Sequence, residues 1–267
     1  MKCILFLFLF IAQCSLSQTL VETTLLTANT FVGFDSFKNL YSINGMVLYK
    51  EGPLGTFEFT DFQLGNITSV DIINPLNIVV FYKDTNIVLL LDNRLNQIEY
   101  INFNTTQEFI NVGAASNAGG NKLWIFDTDL QQLETYNYRT QQKIIISQPI
   151  AEKFINIASN FNYCYVLTNV GVQSFTLFGG IAETINFEDA VDIEQNNDAV
   201  LLVRENVLFQ LSESKIRKNK NVSKEELHIE TIKTPEISIQ DLQLTRDFLY
   251  IYDGKNLHTF SINQSKK

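Results

Sequence analysis

The chain has 267 residues, of which 45% are hydrophobic and 12% aromatic, including 21 Phe and 10 Tyr. This apolar content is enough to fill a core, so it excludes disorder as a general description of the chain. The net charge of −9 argues against a nucleic-acid partner, because phosphates need cationic side chains.

The first 17 residues have the pattern of a secretory signal peptide. Lys2 supplies the positive charge, and residues 4–12 form an apolar run that is too short to anchor the chain across a bilayer. Ser15 and Ser17 are the small residues expected just before a cleavage site. We therefore predict a signal peptide at 1–17, a single domain at 18–267 and an exported protein that is periplasmic or extracellular. Cys14 leaves a lipid anchor open as the alternative to soluble release.

A unit of fixed pattern then recurs six times along the chain. In each unit an Asn or Asp is followed by an apolar, aromatic-rich run, a polar turn and a second apolar run. These opening residues are Asn39, Asn77, Asn121, Asn162, Asp198 and Asp247. Their spacing is close to the ~40–45 residues that one four-stranded propeller blade requires. Asn and Asp at these positions are also expected to close the preceding turn with their own side chains.

Each pair of runs is flanked by further apolar segments. One segment precedes every opening residue, at 31–34, 70–73, 110–114, 155–158, 191–193 and 237–242. Another follows the pair in the first five units, at 56–62, 98–103, 143–146, 182–187 and 228–232. The unit is therefore strand, loop, hairpin, strand, and the fold predicted is all-β, a single β-propeller of about six four-stranded blades.

The ends of the chain fit a closed ring. The sixth unit is one strand short, and residues 20–26 form an extra strand candidate ahead of the first unit. We expect this N-terminal strand to complete the last blade, because pairing would remove two exposed sheet edges. A strand-rich sandwich is the alternative architecture.

Across residues 19–264 the chain resembles exported bacterial β-propellers with degenerate repeats. No Trp-Asp ending and no kelch motif with paired glycines marks the units, and Trp124 is the one tryptophan in the sequence. The resemblance therefore implies a fold and carries no residue-level site.

Three units place an aspartate six residues before the opening residue, at Asp71, Asp192 and Asp241, and the fourth unit has Asn156 there. If the first strand of each blade lines a central channel, these oxygen atoms could bind a hard cation such as Ca²⁺. Metal-dependent propeller lactonases use a similar arrangement, so a metal-dependent hydrolase or a small-ligand binder is the second functional hypothesis. The alternative is that each aspartate accepts backbone N–H groups from the next blade and stabilises the ring.

Motifs for catalysis are absent from the sequence. His228 and His258 have no partner at metal-ligand spacing, and there is no HExxH, G-x-S-x-G or phosphate-binding glycine loop. We therefore predict no catalytic residues and no cofactor, with Ca²⁺ as the alternative.

The fifth unit contains a basic connection at residues 212–226. It carries five cations in an otherwise acidic chain: Lys215, Arg217, Lys218, Lys220 and Lys224. Such a connection is either a docking loop for an anionic partner or a solvated hairpin extension. The leading functional hypothesis is a monomeric, non-catalytic module that binds a protein or an envelope component.

Overall fold

A computed structural model describes residues 18–196, 199–212, 229–232 and 235–262. These residues form six four-stranded antiparallel sheets, which are the blades of a β-propeller. The prediction of six four-stranded blades is confirmed. None of the described residues lies in a helix that could span a membrane.

Blades 1 to 3 each consist of four consecutive strands. Blade 1 contains β2 (Thr30–Phe34), β3 (Leu40–Asn44), β4 (Val47–Gly52) and β5 (Gly55–Phe59). Blade 2 contains β6 (Ser69–Asp71), β7 (Ile78–Tyr82), β8 (Ile87–Leu91) and β9 (Gln97–Asn102). Blade 3 contains β10 (Val112–Gly119), β11 (Lys122–Asp127), β12 (Gln132–Asn137) and β13 (Gln142–Ile145).

Blades 4 and 5 repeat this order, and blade 6 uses both ends of the described chain. Blade 4 contains β14 (Phe154–Ser159), β15 (Tyr163–Thr168), β16 (Gly171–Thr176) and β17 (Ile181–Asn186). Blade 5 contains β18 (Asp192–Gln195), β19 (Ala199–Arg204), β20 (Val207–Ser212) and β21 (Glu230–Ile232). Blade 6 contains β22 (Asp241–Leu244), β23 (Phe248–Tyr252), β24 (Asn256–Ile262) and β1 (Gln18–Leu25).

The ring is closed by the N-terminal strand, as predicted. Strand β1 pairs antiparallel with β24, from Gln18 opposite Ile262 to Leu25 opposite Asn256. The single proton of the Tyr252 hydroxyl is shared between the carbonyl oxygens of Leu26 and Ala28, which lie 3.2 and 2.7 Å from the hydroxyl oxygen. The backbone ladder therefore holds the outermost strand of blade 6, and the buried Tyr252 side chain holds the connection that follows it.

The hydrophobic core is divided among the interfaces between neighbouring blades. Each apolar cluster joins strands of two adjacent blades. The first strands contact each other around the axis from blade 2 through blades 3, 4, 5 and 6 to blade 1. Because a middle strand is covered by a blade on each side, all five residues of β7 and all five of β8 are buried. This packing explains the uninterrupted apolar runs of the sequence.

The two largest differences from the predicted strand boundaries are at the first strands of blades 3 and 6. Strand β10 begins at Val112 and continues to Gly119, beyond the predicted 110–114. Strand β22 begins at Asp241, whereas the predicted segment began at residue 237. Ile237 and Ile239 lie in the connection before β22 and pack on the cluster between blades 5 and 6. Because these two residues are apolar, the sequence pattern did not distinguish the connection from the strand that follows it.

The turns before the second strands are closed by residues upstream of the opening residue, which corrects the expectation that the opening residue does so. In blade 4, Asn160 Oδ1 accepts the backbone N–H groups of Asn162 and Tyr163, both at 2.8 Å. In blade 5, Asn196 Oδ1 accepts the N–H group of Ala199 at 3.0 Å, and Asp198 lies outside the described residues.

The propeller has two loop faces. The upper face consists of the loops that join first to second strands and third to fourth strands, such as 35–39 and 92–96. The lower face consists of the turns that join second to third strands and the connections between blades, such as 83–86 and 103–111. First strands run from the lower face to the upper face.

Candidate functional site

A cavity of about 490 Å³ lies on the propeller axis and opens on the upper face. The first strands of all six blades contribute to its wall. Its polar side chains include Ser116, Ser159, Glu194 and Gln195, and Arg246 lies at the mouth. Ile73 and Ala115 provide apolar wall, so the cavity can contact both the polar groups and the carbon skeleton of a small molecule.

Three of the four predicted oxygen ligands lie at one depth in the ring. Asn156 is opposite Leu167, Asp192 is opposite Val203 and Asp241 is opposite Tyr252, each five residues after the opening residue of its unit.

Asp71 lies closer to the upper face than the other three. It is opposite Val79, two residues after Asn77, because the loop between β6 and β7 is longer than the corresponding loops of blades 4 and 5. Counting residues along the chain therefore does not measure depth along the axis.

Two of the aspartates join neighbouring blades. Asp71 Oδ2 accepts the backbone N–H of Asn117 in blade 3 at 2.6 Å, and Asp241 Oδ2 accepts the backbone N–H of Phe31 in blade 1 at 2.8 Å. Gln243 extends the contact between blades 6 and 1, since its amide both accepts from the N–H and donates to the carbonyl of Phe34. These contacts are those expected if the aspartates stabilise the ring.

Asp192 interacts with the preceding blade. Its Oδ1 accepts a hydrogen bond from Asn156 Nδ2 at 3.0 Å. Within the described residues no group of three His, Cys, Asp or Glu side chains is arranged to hold a metal ion. The Ca²⁺ site remains a prediction.

Glu194 lines the cavity and was not singled out in the sequence. It lies two residues after Asp192 on β18 and therefore shares its side of the strand. Burial, and then the charges of Asp192 and Asp71, raise the pKa of the Glu194 carboxyl well above its usual value. No sequence motif includes this glutamate. The one signal in the sequence was its position on a strand expected to line the central channel.

Replacing Glu194 is expected to stabilise the protein at neutral and alkaline pH. A carboxyl group with a raised pKa in the folded state favours folding when protonated, so wild-type stability falls as pH rises above the usual glutamate range. Glu194→Gln removes this loss. We expect equal melting temperatures for both proteins near pH 4 and a higher one for the variant at pH 8. A variant that melts below wild type at pH 8 would contradict the prediction.

Charge distinguishes the two loop faces. The described upper-face loops contain four exposed basic residues, Lys38, Arg94, Arg139 and Arg246, and one exposed acidic residue, Asp247. In the described lower-face loops, exposed acids outnumber exposed lysines by seven to three: Asp84, Glu108, Asp129, Glu188, Asp189, Glu205 and Glu236 against Lys83, Lys153 and Lys255.

The predicted basic connection, with Lys215, Arg217, Lys218, Lys220 and Lys224, lies outside the described residues. The strands on either side of it are β20, which ends at Ser212, and β21, which begins at Glu230. Both of these ends lie at the upper face. The signal peptide prediction and Cys14 also concern residues outside the described ranges.

The fold and the axial cavity define the chain as a six-bladed β-propeller. No family model matches it, and no curated protein matches it in sequence.

Solved structures share the fold at low sequence identity. A catalytically inactive virginiamycin B lyase from Staphylococcus aureus with quinupristin is 10% identical, with a TM-score of 0.62 over 92% of this chain and 100% of that chain. BBS1N in complex with ARL6DN is 13% identical, with a TM-score of 0.59 over 88% of this chain and 79% of that chain. PorZ, a surface component of the type-IX secretion system of Porphyromonas gingivalis, is 11% identical, with a TM-score of 0.52 over 88% of this chain and 32% of that chain.

Proposed function

We propose that this propeller is an exported, non-catalytic module that binds a basic protein through its lower face. The observation that carries the proposal is a patch on blades 1 to 3 where apolar and acidic side chains alternate in successive loops. The lower patch, as we call it, consists of Phe62, Asp84, Glu108, Phe109, Asp129 and Leu130.

The apolar members of the lower patch are large side chains that are exposed to solvent. Phe62 is 74% exposed, Phe109 57% and Leu130 48%. Exposed aromatic and aliphatic side chains grouped on one surface are typical of protein-binding sites, where their burial supplies affinity.

The charges of the same loops indicate the kind of partner. The four loops 60–68, 83–86, 103–111 and 128–131 contain Asp61, Asp84, Glu108 and Asp129, with Lys83 as their single cation. A partner with lysines and arginines around an apolar centre complements this surface, and its association would be accelerated by long-range attraction.

The location of the module follows from the pattern of residues 1–17, which favours export to the periplasm or cell surface. Two of the fold neighbours support the proposal in a general way. BBS1N was crystallised in complex with ARL6DN, which agrees with a protein-binding role, and PorZ is a bacterial surface component, which agrees with export.

The test uses residues 18–267 as bait in an extract of the native source, followed by cross-linking and binding assays with the purified partner. The variant Phe62→Ser/Phe109→Ser/Leu130→Ser removes the apolar part of the lower patch. Its matched control is Phe37→Ser/Leu54→Ser/Leu76→Ser, which changes three exposed apolar residues of the upper face.

We expect the lower-patch variant to bind at least tenfold more weakly, a loss of about 1.4 kcal/mol, and the control to bind as wild type does. Raising the salt concentration should also weaken binding, because salt screens exposed charges. Unchanged binding of the lower-patch variant would refute the proposal, and so would loss of binding on deletion of residues 212–226 instead.

A further inference from the structure

The axial cavity is separate from the surface proposed for a protein partner. It opens on the upper face, whereas the lower patch lies at the opposite end of the strands. Its volume of about 490 Å³ falls within the ~300–1,000 Å³ range of pockets that hold small organic molecules. The cavity is therefore large enough to be a separate binding site for a small molecule.

The polar atoms of the cavity wall differ in how many hydrogen bonds they already make within the protein. Both carboxylate oxygens of Asp71 accept backbone N–H groups, from Ile73 at 2.8 Å and from Asn117 at 2.6 Å. The hydroxyl groups of Ser116 and Ser159 lie 2.7 Å apart and retain further capacity to donate or accept.

Glu194 is the wall carboxylate with the least compensation. The hydrogen bond that stabilises its charged form comes from the backbone of the adjacent Gln195, while Asp192 and Asp71 repel that charge. A positive group placed in the cavity would offset this repulsion and would be attracted by all three carboxylates.

The geometry points to a binding site for a small organic cation, with its ammonium group on Glu194, its polar groups near Ser116 and Ser159, and its carbon chain against Ile73 and Ala115. An organic cation fits this cavity better than a bare metal ion. The space exceeds what one ion fills, and among the described residues no three His, Cys, Asp or Glu side chains form a group that could hold a metal ion.

The experiment measures binding of putrescine, spermidine and agmatine by calorimetry and by thermal shift. 1,4-Butanediol is the uncharged counterpart of putrescine, and CaCl₂ represents the metal alternative. Three single variants accompany wild type. Glu194→Gln removes the charge, Ser36→Trp obstructs the cavity mouth at an exposed residue, and Glu205→Gln changes an exposed carboxylate on the lower face.

We expect at least one of the three amines to bind and to raise the melting temperature, since a ligand of the native state stabilises it. Glu194→Gln and Ser36→Trp should each weaken amine binding at least tenfold. Glu205→Gln should bind the amine with the wild-type affinity. The uncharged diol should not bind to the wild-type protein. Because Glu194→Gln is expected to be more stable than wild type, a loss of binding would not reflect unfolding.

Three results would overturn the inference. They are no binding by any of the three amines, equal binding by Glu194→Gln, or a response to Ca²⁺ with none to the amines. The lower-patch variant should bind amines as wild type does, so failure of the protein-binding proposal would leave this result intact.

Discussion

Removing the N-terminal strand is expected to cost on the order of 5 kcal/mol of the free energy of unfolding. A chain that begins at Thr27 lacks β1, which pairs with β24 at seven positions. Each backbone hydrogen bond contributes ~1 kcal/mol net, and a whole domain has only ~5–15 kcal/mol to lose. The truncation also leaves β24 as an open edge. The melting temperature should therefore fall by about 10 °C or more, measured by circular dichroism.

A peptide of residues 18–26 provides the control for this truncation. Added in excess, it should restore part of the lost melting temperature, and a scrambled peptide of the same composition should not. A truncated chain that melts within about 2 °C of the full domain would show that β1 does not close the ring in solution.

The second large effect is expected at an ion pair within blade 3, between Glu134 and Lys143 on neighbouring strands. Glu134 on β12 is fully buried; its Oε1 lies 3.2 Å from Lys143 Nζ, and its Oε2 has no hydrogen-bond partner. Lys143 Nζ also lies 3.3 Å from Glu108, which belongs to the connection between blades 2 and 3. Lys143→Met would leave the Glu134 charge uncompensated, and breaking a buried pair in this way costs ~3–5 kcal/mol. We expect a loss near the lower limit, because Lys143 is partly exposed.

The pH dependence of this loss follows from Glu134. Burial raises the pKa of its carboxyl group despite the neighbouring lysine. Without Lys143 the Glu134 carboxyl group can become neutral by taking up a proton. Denaturation measurements should therefore show a smaller loss of the free energy of unfolding at pH 5 than at pH 8.

A double variant and a surface variant complete this test. Glu134→Gln/Lys143→Met should regain most of the stability, because no buried charge remains. Lys83→Met, at an exposed lysine of the lower face, should change stability by less than ~0.5 kcal/mol. A Lys143→Met protein that is as stable as the Lys83→Met control would mean that the pair contributes nothing.

Much of the architecture was predictable from local sequence signals. Apolar runs bounded by polar turns define strands wherever they occur, and a missing strand at one end with an extra one at the other indicates closure. These features depend on residues close together in the chain, so the six blades and the role of the N-terminal strand could be predicted before any contact was known.

The depth of Asp71 and the environment of Glu194 were not predictable in this way. Depth in the ring depends on the length of the loop between the first and second strands. Asp71 and Asp192 are both six residues before the opening residue of their unit, yet they lie at different depths. The environment of Glu194 depends on Asp71, which is more than one hundred residues away in the sequence and on a different blade.

The sequence by itself determined the repeating unit, the number of blades and the way the ring closes, because short-range periodicity and turn chemistry specify strands and hairpins. The tertiary structure alone decided which carboxylates face one cavity, which aspartates join neighbouring blades and which loops present acidic and apolar side chains together. Those properties arise from the packing of six blades around an axis, which brings together residues that no local pattern connects.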